Sequence, residues 1–329
     1  MSAETDQTID LSIIIVSYNS ESEILDCLKS IDEKVGALSH EVIVVDNASA
    51  DRTQEIVEQK RPAVHLIKNP DNVGFGPANN LGLAQAKGTY VLFLNPDTVI
   101  DTGTLADLVT LATSLPSFGL LAPKLVSSDG TLQRSIHRRF PGWLSHIVQY
   151  NFLLFTVIQR LSPGYDYTLS GPKEHSYQHE ILHAMGAAIL IPHDVLKEVG
   201  GFDDRFFLYF EETELCLRVH KAGYKLYFTP KVVVEHRMGA SSGERQFGQA
   251  SVYYQESAYL YFAMTRGKAY THLLKTITTL GLWSNYLFLA VYNRVMSRRS
   301  DPERGQTARA GYTFTKRALV WHRTHRVAK

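Results

Sequence analysis

Apolar runs and polar punctuation alternate through the first two-thirds of the chain with the rhythm of strands and helices. Leu11–Val16 (LSIIIV) is apolar enough for a strand buried on both faces, and it ends at Ser17-Tyr18-Asn19. Ser20 and Glu23 then have the spacing of a capping box, and Ile24, Leu25, Leu28 and Ile31 share one helical face. Glu41–Val45 predicts a second strand ending at Asp46-Asn47, followed by a helix over Thr53–Gln59 and a short strand over Val64–Ile67. Asn69–Pro77 is dense in turn formers, and Pro77 suits the first position of a helix that runs through Ala86 and stops at Gly88. Tyr90–Leu94 is the next buried strand. Proline cannot continue a central strand, so Asn95-Pro96-Asp97 ends it and Asp97 is expected to face solvent.

Beyond it, Thr104–Thr113 reads as helix and Leu120–Leu125 as extended chain, before a less regular stretch from Ser127 to His183. Regularity returns with a strand over Ala187–Ile191 and a short helix capped by Asp194 and stopped at Gly200-Gly201. A further helix opens at Glu211-Glu212-Thr213-Glu214 and ends at Gly223, with acids first and Lys221 last, as the helix dipole favours. Lys225–Thr229 and Val232–Val234 are extended, and the second run meets Glu235-His236. Elements alternating at these lengths predict an α/β fold with right-handed crossovers and a largely parallel sheet.

Composition changes this picture little until charge is followed along the chain. The 329 residues carry a net charge of +1, which gives no case for a nucleic-acid partner. From Thr271 onward, however, eleven Lys and Arg residues face only Asp301 and Glu303, so a basic appendage follows a neutral body. Cys27 and Cys216 each fall within an amphipathic helix and share no metal-like spacing. The N-terminal MSAETDQTID is polar and acidic, unlike a signal peptide, and a reduced, cytoplasmic compartment is expected.

In open α/β sheets, ligands bind beyond the carboxyl ends of the strands. Asp46 and Asp97 both stand at such ends, with Ser17-Tyr18-Asn19 at a third. Either acid alone serves equally well as turn punctuation; together they point to a site. A carboxylate at Asp46 can accept the imide N–H of uracil or thymine, and Tyr18 can stack on the base. Asn72, Gly74, Phe75, Gly76 and Asn79 form a loop suited to close backbone approach to a sugar or phosphate. It is not a dinucleotide fingerprint, because it does not follow the first strand and Asn79 stands where the last glycine belongs. Glu211 and Glu212 are ordinary first-turn acids, yet the aromatic run before them would shield a carboxylate and raise its pKa to that of a general base. Asp97 with His236 would make a sparse divalent-metal site, for Mg²⁺ or Mn²⁺, which keep waters and substrate phosphates as their other ligands.

Motifs in order and spacing carry a resemblance: VSYN at 16–19, VVDNAS at 44–49, NVGFGPANN at 72–80, FLNPD at 93–97, GAAILIP at 186–192, GGFDDRFFLYFEETELCLR at 200–218 and EHRMG at 235–239. Across roughly Leu11–Gly267 the chain resembles the family 2 glycosyltransferases of GT-A fold, and among them bacterial rhamnosyltransferases of O-antigen and cell-wall polysaccharide assembly. The resemblance implies a Rossmann-like mixed, mostly parallel sheet flanked by helices over 1–240, with an acceptor-side insert at about 127–183, and a helical, basic appendage over 241–329. It implies that Ser17, Tyr18, Asn19, Asp46, Asn72, Gly74, Phe75, Gly76, Asn79, Asn95 and Asp97 bind a nucleotide sugar, dTDP- or UDP-linked. Asp97 matches the last acid of the family's DxD motif, His236 its late metal-binding histidine, and Glu212 its general base, with Glu211 a rival. The first acid of the DxD is replaced by Asn95, and Glu212 is one methylene longer than the usual Asp. The implied reaction is inverting transfer of a sugar, L-rhamnose from dTDP-β-L-rhamnose, to a saccharide or polyprenyl-diphosphate-linked acceptor. Galactofuranosyl or N-acetylglucosaminyl transfer from UDP, or a non-catalytic nucleotide-sugar binder, are the alternatives.

Two apolar, aromatic stretches remain, Trp143–Leu161 and Leu273–Val295. The uncharged window of the second, Thr276–Tyr292, is shorter than the ~20 residues of a membrane span. With Arg294, Arg298 and Arg299 after it, the stretch fits an interfacial helix on anionic lipid at the inner face of the cytoplasmic membrane as readily as a core helix. Arg134, Arg138 and Arg139 would then meet an acceptor diphosphate, or form a solvated basic turn.

Overall fold

The computed structural model describes residues 9–142, 146, 152–161, 171–237, 247–296, 315–316 and 318–321. Met238 and Gly239 of the EHRMG stretch, most of Trp143–Asn151, and Arg298 and Arg299 lie outside them. The chain divides into two compact units, Met1–Phe140 with Leu169–Gly243, and Pro141–Thr168 with Glu244–Lys329. The middle of the stretch read as an acceptor-side insert thus groups with the C-terminal helices.

In the first unit, β1 (Leu11–Ser17), α1 (Ile24–Lys34), β2 (His40–Asn47), α2 (Thr53–Lys60), β3 (His65–Asn69), α3 (Phe75–Leu83) and β4 (Tyr90–Leu94) alternate. The chain then runs through β5 (Thr98–Thr102), α4 (Leu105–Ser114), β6 (Phe118–Val126) and β7 (Ile136–His137). After α5 (Phe152–Leu161) of the second unit it returns with β8 (His179–Ile181), β9 (His183–Ala184), β10 (Ala188–Pro192), α6 (His193–Val199), α7 (Glu211–Lys221) and β11 (Lys225–His236). The second unit closes with α8 (Phe247–Arg266) and α9 (Lys268–Met296).

The main sheet has the order β3-β2-β1-β4-β10-β6-β11-β5, with β8 on β11, and β7 pairs β9 separately. β3, β2, β1 and β4 run parallel, as does β6 with β11, whereas β10, β5 and β8 run against their neighbours. Every residue of β1 is buried, as a strand covered on both faces requires. Each fully buried Ile or Val there stabilises the fold by about 1.5–3 kcal/mol. The two extended runs at the chain's later end are one strand, β11, whose register slips between Thr229 and Val233, around Pro230, which has no N–H for the ladder.

Several local expectations give way. α1 has Glu23 at its N-cap with no side-chain cap, so the Ser20–Glu23 box is not formed; Ser20 instead accepts at its carbonyl from Glu23 and Ile24. α3 starts at Phe75, two residues before Pro77, because Gly74 at φ 96° makes the turn into it. The reciprocal capping box lies at Thr104 and Asp107, where both bonds form at the start of α4. Asp194 lies in the first turn of α6 without capping it; Pro192 holds the cap position. β5 carries no sequence signal of its own, being a five-residue edge strand held against β11.

Candidate active site

The carboxyl ends of β1, β2 and β4 do meet, and their side chains differ sharply in what already occupies them. Asp46, opposite Ser17 in the β1–β2 ladder, is fully buried. Its carboxylate accepts from Ser17 Oγ (3.3 Å), the Ser49 N–H (3.0 Å) and Gln54 Nε2 (2.6 Å). Tyr18 is 37 % exposed beside it, and Asn19 adopts a left-handed φ of 52° while its Oδ1 accepts from the Ala50 N–H.

The Asn72–Asn79 loop is built mainly for its own chain. Asn47 organises it, donating to Asn72 Oδ1 (2.9 Å) and the Gly74 carbonyl (3.2 Å) and accepting from Asn69 Nδ2 and the Val73 N–H. A side chain on Gly74 would strike the Phe207 carbonyl at 2.3 Å, and one on Gly76 would press on Phe202 and Glu211. Asn79 is buried and donates to the Phe75 carbonyl at 3.0 Å. The glycines therefore admit a neighbouring protein segment, a role beside the one the sequence suggests for this loop. Asn47 had no sequence signal beyond its place after Asp46.

At the end of β4 the arrangement is open in a different sense. Asp97 is only 9 % exposed, against the expectation that it faces solvent, because the end of β11 covers it. The β5–β11 ladder sets His236 opposite Thr98, and His236 Nε2 lies 3.5 Å from Asp97 Oδ1 and 3.4 Å from Asn95 Nδ2. Burial lowers the pKa of His236, partly offset by the Asp97 charge. On its far side, His236 Nδ1 meets Gln133 Oε1 at 3.0 Å, and Gln133 Nε2 donates to the His236 carbonyl at 2.6 Å. Asn95 Oδ1 is buried with no hydrogen-bond partner. An orphaned amide oxygen beside a carboxylate and an imidazole nitrogen fits a divalent cation, since all three are ligand atoms suited to Mg²⁺ or Mn²⁺. Among the described residues no third His, Cys, Asp or Glu joins the pair.

Glu211 and Glu212 open α7 after two residues, Tyr209 (φ 69°) and Phe210 (φ 67°), in the left-handed region that side chains disfavour. Glu211 is buried, with Oε2 unpartnered, and burial together with the Glu212 charge raises its pKa well above the carboxylate range. Glu212 is half-buried, and burial pushes its pKa up to about 7. A Cβ on Gly186 would lie 3.3 Å from Glu212 Cβ and 3.7 Å from the Phe75 ring. The next residue, Ala187, accepts from the Asn95 N–H at 2.9 Å. Thus the segment just before β10 joins Glu212's neighbour to the Asn95–Asp97 turn. Glu214 is different: it pairs with Arg218, which also donates to the Val199 and Gly201 carbonyls, so this acid anchors the helix.

Comparison with known proteins decides the family. Residues 12–198 match the family model described as Glycosyl transferase family 2. The chain belongs to glycosyl transferase family 2. It is a glycosyltransferase, as the motif resemblance implied. The match stops before Glu212 and His236, so those two stand on motif and geometry. Among its relatives is the N-acetylglucosaminyl-diphospho-decaprenol L-rhamnosyltransferase of Mycobacterium tuberculosis, 26% identical over 235 residues, 68% of this chain and 74% of that protein. The rhamnosyltransferase WbbL of Escherichia coli is 27% identical over 266 residues, 77% of this chain and 93% of that protein. In fold, the chain is similar to a mannosyltransferase of Pyrobaculum calidifontis in complex with GDP-Man and Mn²⁺ (TM-score 0.54, 17% identity, 97% of this chain and 87% of that one). The mixed, mostly parallel sheet of family 2 members is what the sequence led one to expect.

Arg134 and Arg139 are exposed, and Arg138 forms an ion pair with Glu174. Cys27 and Cys216 are buried, and burial pushes both thiols up to about 12, in keeping with core packing.

Proposed function

We propose that this family 2 enzyme transfers L-rhamnose from dTDP-β-L-rhamnose, with inversion, to a hydroxyl of a polyprenyl-diphosphate-linked saccharide in bacterial surface polysaccharide synthesis. The observation that carries the chemistry is Glu212, a carboxylate with a pKa of about 7, against Gly186, whose neighbour Ala187 accepts from the Asn95 N–H. A base so tuned is largely ionised just above neutrality yet basic enough to take a proton from an alcohol in the transition state. Glu212 removes the acceptor proton as that oxygen forms its bond to the anomeric carbon. The bond from that carbon to the nucleoside diphosphate breaks, and its electron pair leaves with the phosphate oxygen. No second carboxylate is needed as nucleophile, and single displacement gives an α-L-rhamnoside. A divalent cation held by Asp97, His236 and Asn95 Oδ1 would supply positive charge where the departing diphosphate develops negative charge.

Tyr18 offers its ring to the nucleobase. An imide N–H reaches Asp46 by displacing Gln54 Nε2, the half-exposed one of its side-chain donors. The choice of sugar is supported by relatives named as L-rhamnosyltransferases, one of them for a decaprenyl-diphosphate substrate. The second unit supports a lipid-borne acceptor: Leu273, Leu280, Leu287 and Val291 are exposed at one-face spacing on α9, and Phe155, Val157 and Leu161 are exposed around α5. Among the described residues no helix is long and apolar enough to cross a membrane. The unit accordingly lies on the anionic inner face of the cytoplasmic membrane, and the double variant Leu280→Glu/Leu287→Glu should lose flotation with anionic vesicles.

The deciding experiment is a turnover panel of dTDP- and UDP-sugars with Mg²⁺ and Mn²⁺, with a lipid-linked acceptor and a soluble mimic. Turnover confined to a UDP-sugar overturns the rhamnosyl assignment. Binding without turnover of any donor overturns catalysis.

A further inference from the structure

Gln133 is a buried residue that neither the motifs nor the proposed chemistry uses, and its hydrogen bonds fix more than its own position. It follows a short hairpin. Ser127 accepts from the Gly130 N–H and donates its N–H to Thr131, Val126 bridges Leu132, and the Gln133 N–H returns to the Leu125 carbonyl. This places Gln133, 103 residues before His236 in sequence, against the end of β11.

The orientation of its amide is determined by chemistry. The atom 2.6 Å from the His236 carbonyl must be a donor, since a carbonyl only accepts, so it is the NH₂, which also reaches Ser127 Oγ at 3.1 Å. The other end is then the oxygen, and the atom facing it at 3.0 Å, His236 Nδ1, must carry the hydrogen. A neutral imidazole has one N–H, so Nε2 is left with its lone pair. That lone pair faces Asp97 Oδ1 at 3.5 Å, and a carboxylate oxygen is also an acceptor. Asn95 Nδ2 touches the same nitrogen at 3.4 Å while Asn95 Oδ1 stays unpaired. Nε2 and Asp97 Oδ1 are then two acceptors turned toward each other in a buried place, eased by the long Asn95 Nδ2 contact, and a cation between them would remove the repulsion.

We infer that Gln133 is a positioning residue that clamps His236 as the Nδ1–H tautomer and so presents the Nε2 lone pair, with Asp97, to a divalent cation. The inference rests on the metal reading above and adds the residue that enforces it. Dissolved histidine favours the opposite tautomer, with the hydrogen on Nε2, so the clamp does work that the ring would not do unaided. An imidazole whose second nitrogen is held in this way is both oriented and more basic toward a metal.

The test uses the full chain, metal-free and labelled with ¹⁵N-histidine, at a pH where the ring is neutral. The His236 signal is identified by its loss in His236→Gln. Expected is a pyrrole-type Nδ1 and a pyridine-type Nε2. In Gln133→Met the pattern should shift toward Nε2–H, and Mn²⁺ affinity, read by electron paramagnetic resonance, should fall about 10–100-fold. Gln133→Glu, which keeps an acceptor for Nδ1–H but gives up the donor to the His236 carbonyl, should retain the Nδ1–H tautomer at a lower melting temperature. A merely structural Gln133 would lower the melting temperature of Gln133→Met and leave tautomer and affinity where they were, and that result overturns the inference. An Nε2–H ring in the unaltered chain overturns it without any variant having to fold. Mn²⁺ binding by the unaltered chain separates the two readings. Binding with an Nε2–H ring sinks the clamp alone, and no binding sinks the metal site and the inference together.

Discussion

Asp46 and Asp97 hold matching places in the chain, each the acid that closes a buried apolar strand of one sheet. In the fold, the β2 end surrounds Asp46 with three donors, from Ser17, Ser49 and Gln54. The β4 end gives Asp97 an imidazole nitrogen at 3.5 Å and an orphaned amide oxygen nearby. Glu211 and Glu212 share the second condition: one has an unpartnered buried oxygen and the other a pKa near 7. What differs between the two strand ends is whether the protein itself already supplies partners to the carboxylate. A buried lone pair left open costs stability, which makes the β4 end and the start of α7 the places to test for a ligand, proton or cation.

The contrast breaks most visibly at α7. Glu212→Gln should lower kcat for transfer by about 10²–10⁴-fold with donor binding retained, whereas Glu211→Gln should leave transfer within about tenfold of the parent. Near-full turnover by Glu212→Gln removes it as the base. For the parent enzyme, the base must be ionised, so rate should rise with pH through about 7 and level off above it; a flat profile across that range contradicts the assignment.

At the β4 end, Asp97→Asn should weaken Mn²⁺ binding by more than about 100-fold, since it removes a ligand rather than a ligand's support. Its melting temperature should stay close to the parent's, because among the described residues no hydrogen bond ends on that carboxylate, and His236 Nε2 meets it as a lone pair. Asp46→Asn should show the reverse order of effects. It turns an NH₂ toward groups that donate, which costs on the order of 1–3 kcal/mol of stability, read by denaturant unfolding, with Mn²⁺ affinity unchanged. If Asp46→Asn proves as stable as the parent, the two strand ends do not differ in the way their hydrogen bonds indicate.

The smallest effect sharpens the same point through linkage. Glu212 has a folded pKa of about 7, above its ordinary 4.5, so the fold favours the protonated form. Its contribution to stability is fully present below about 4.5 and is lost as pH rises through about 7. Glu212→Gln should therefore match the parent in acid and exceed it above neutrality by on the order of 1–3 kcal/mol, seen as a melting-temperature difference that opens with pH. A constant difference at all pH values contradicts the shift.

Much of the N-terminal half was legible because its signals are local. The apolar strands LSIIIV, EVIVV and YVLFL, with a polar group at each end, specify a buried parallel sheet by pattern alone, since side-chain burial on both faces tolerates nothing else. The aromatic run before Glu211 and Glu212 likewise announced shielded carboxylates. The failures are where a local signal competes with a tertiary partner. Ser20 and Glu23 have capping-box spacing, yet Thr53 Oγ1 takes the Ser20 N–H at 2.9 Å and the box does not form. Nor does any local signal show that Phe207 and Phe202, far along the chain, pack against Gly74 and Gly76.

The sequence by itself determined the α/β alternation, the family, and the acids and histidine worth testing, because strand period, turn residues and motif spacing are written over a few neighbouring positions. Only the tertiary structure decided which of those acids are satisfied and which are open. That depends on partners that the fold brings in: Gln54 of α2 on Asp46, the β11 end beside Asp97, Gly186 beside Glu212. Gln133 is the extreme case. A glutamine 103 residues from the histidine it orients has no pattern to betray it, and becomes readable only when β6 and β11 lie side by side.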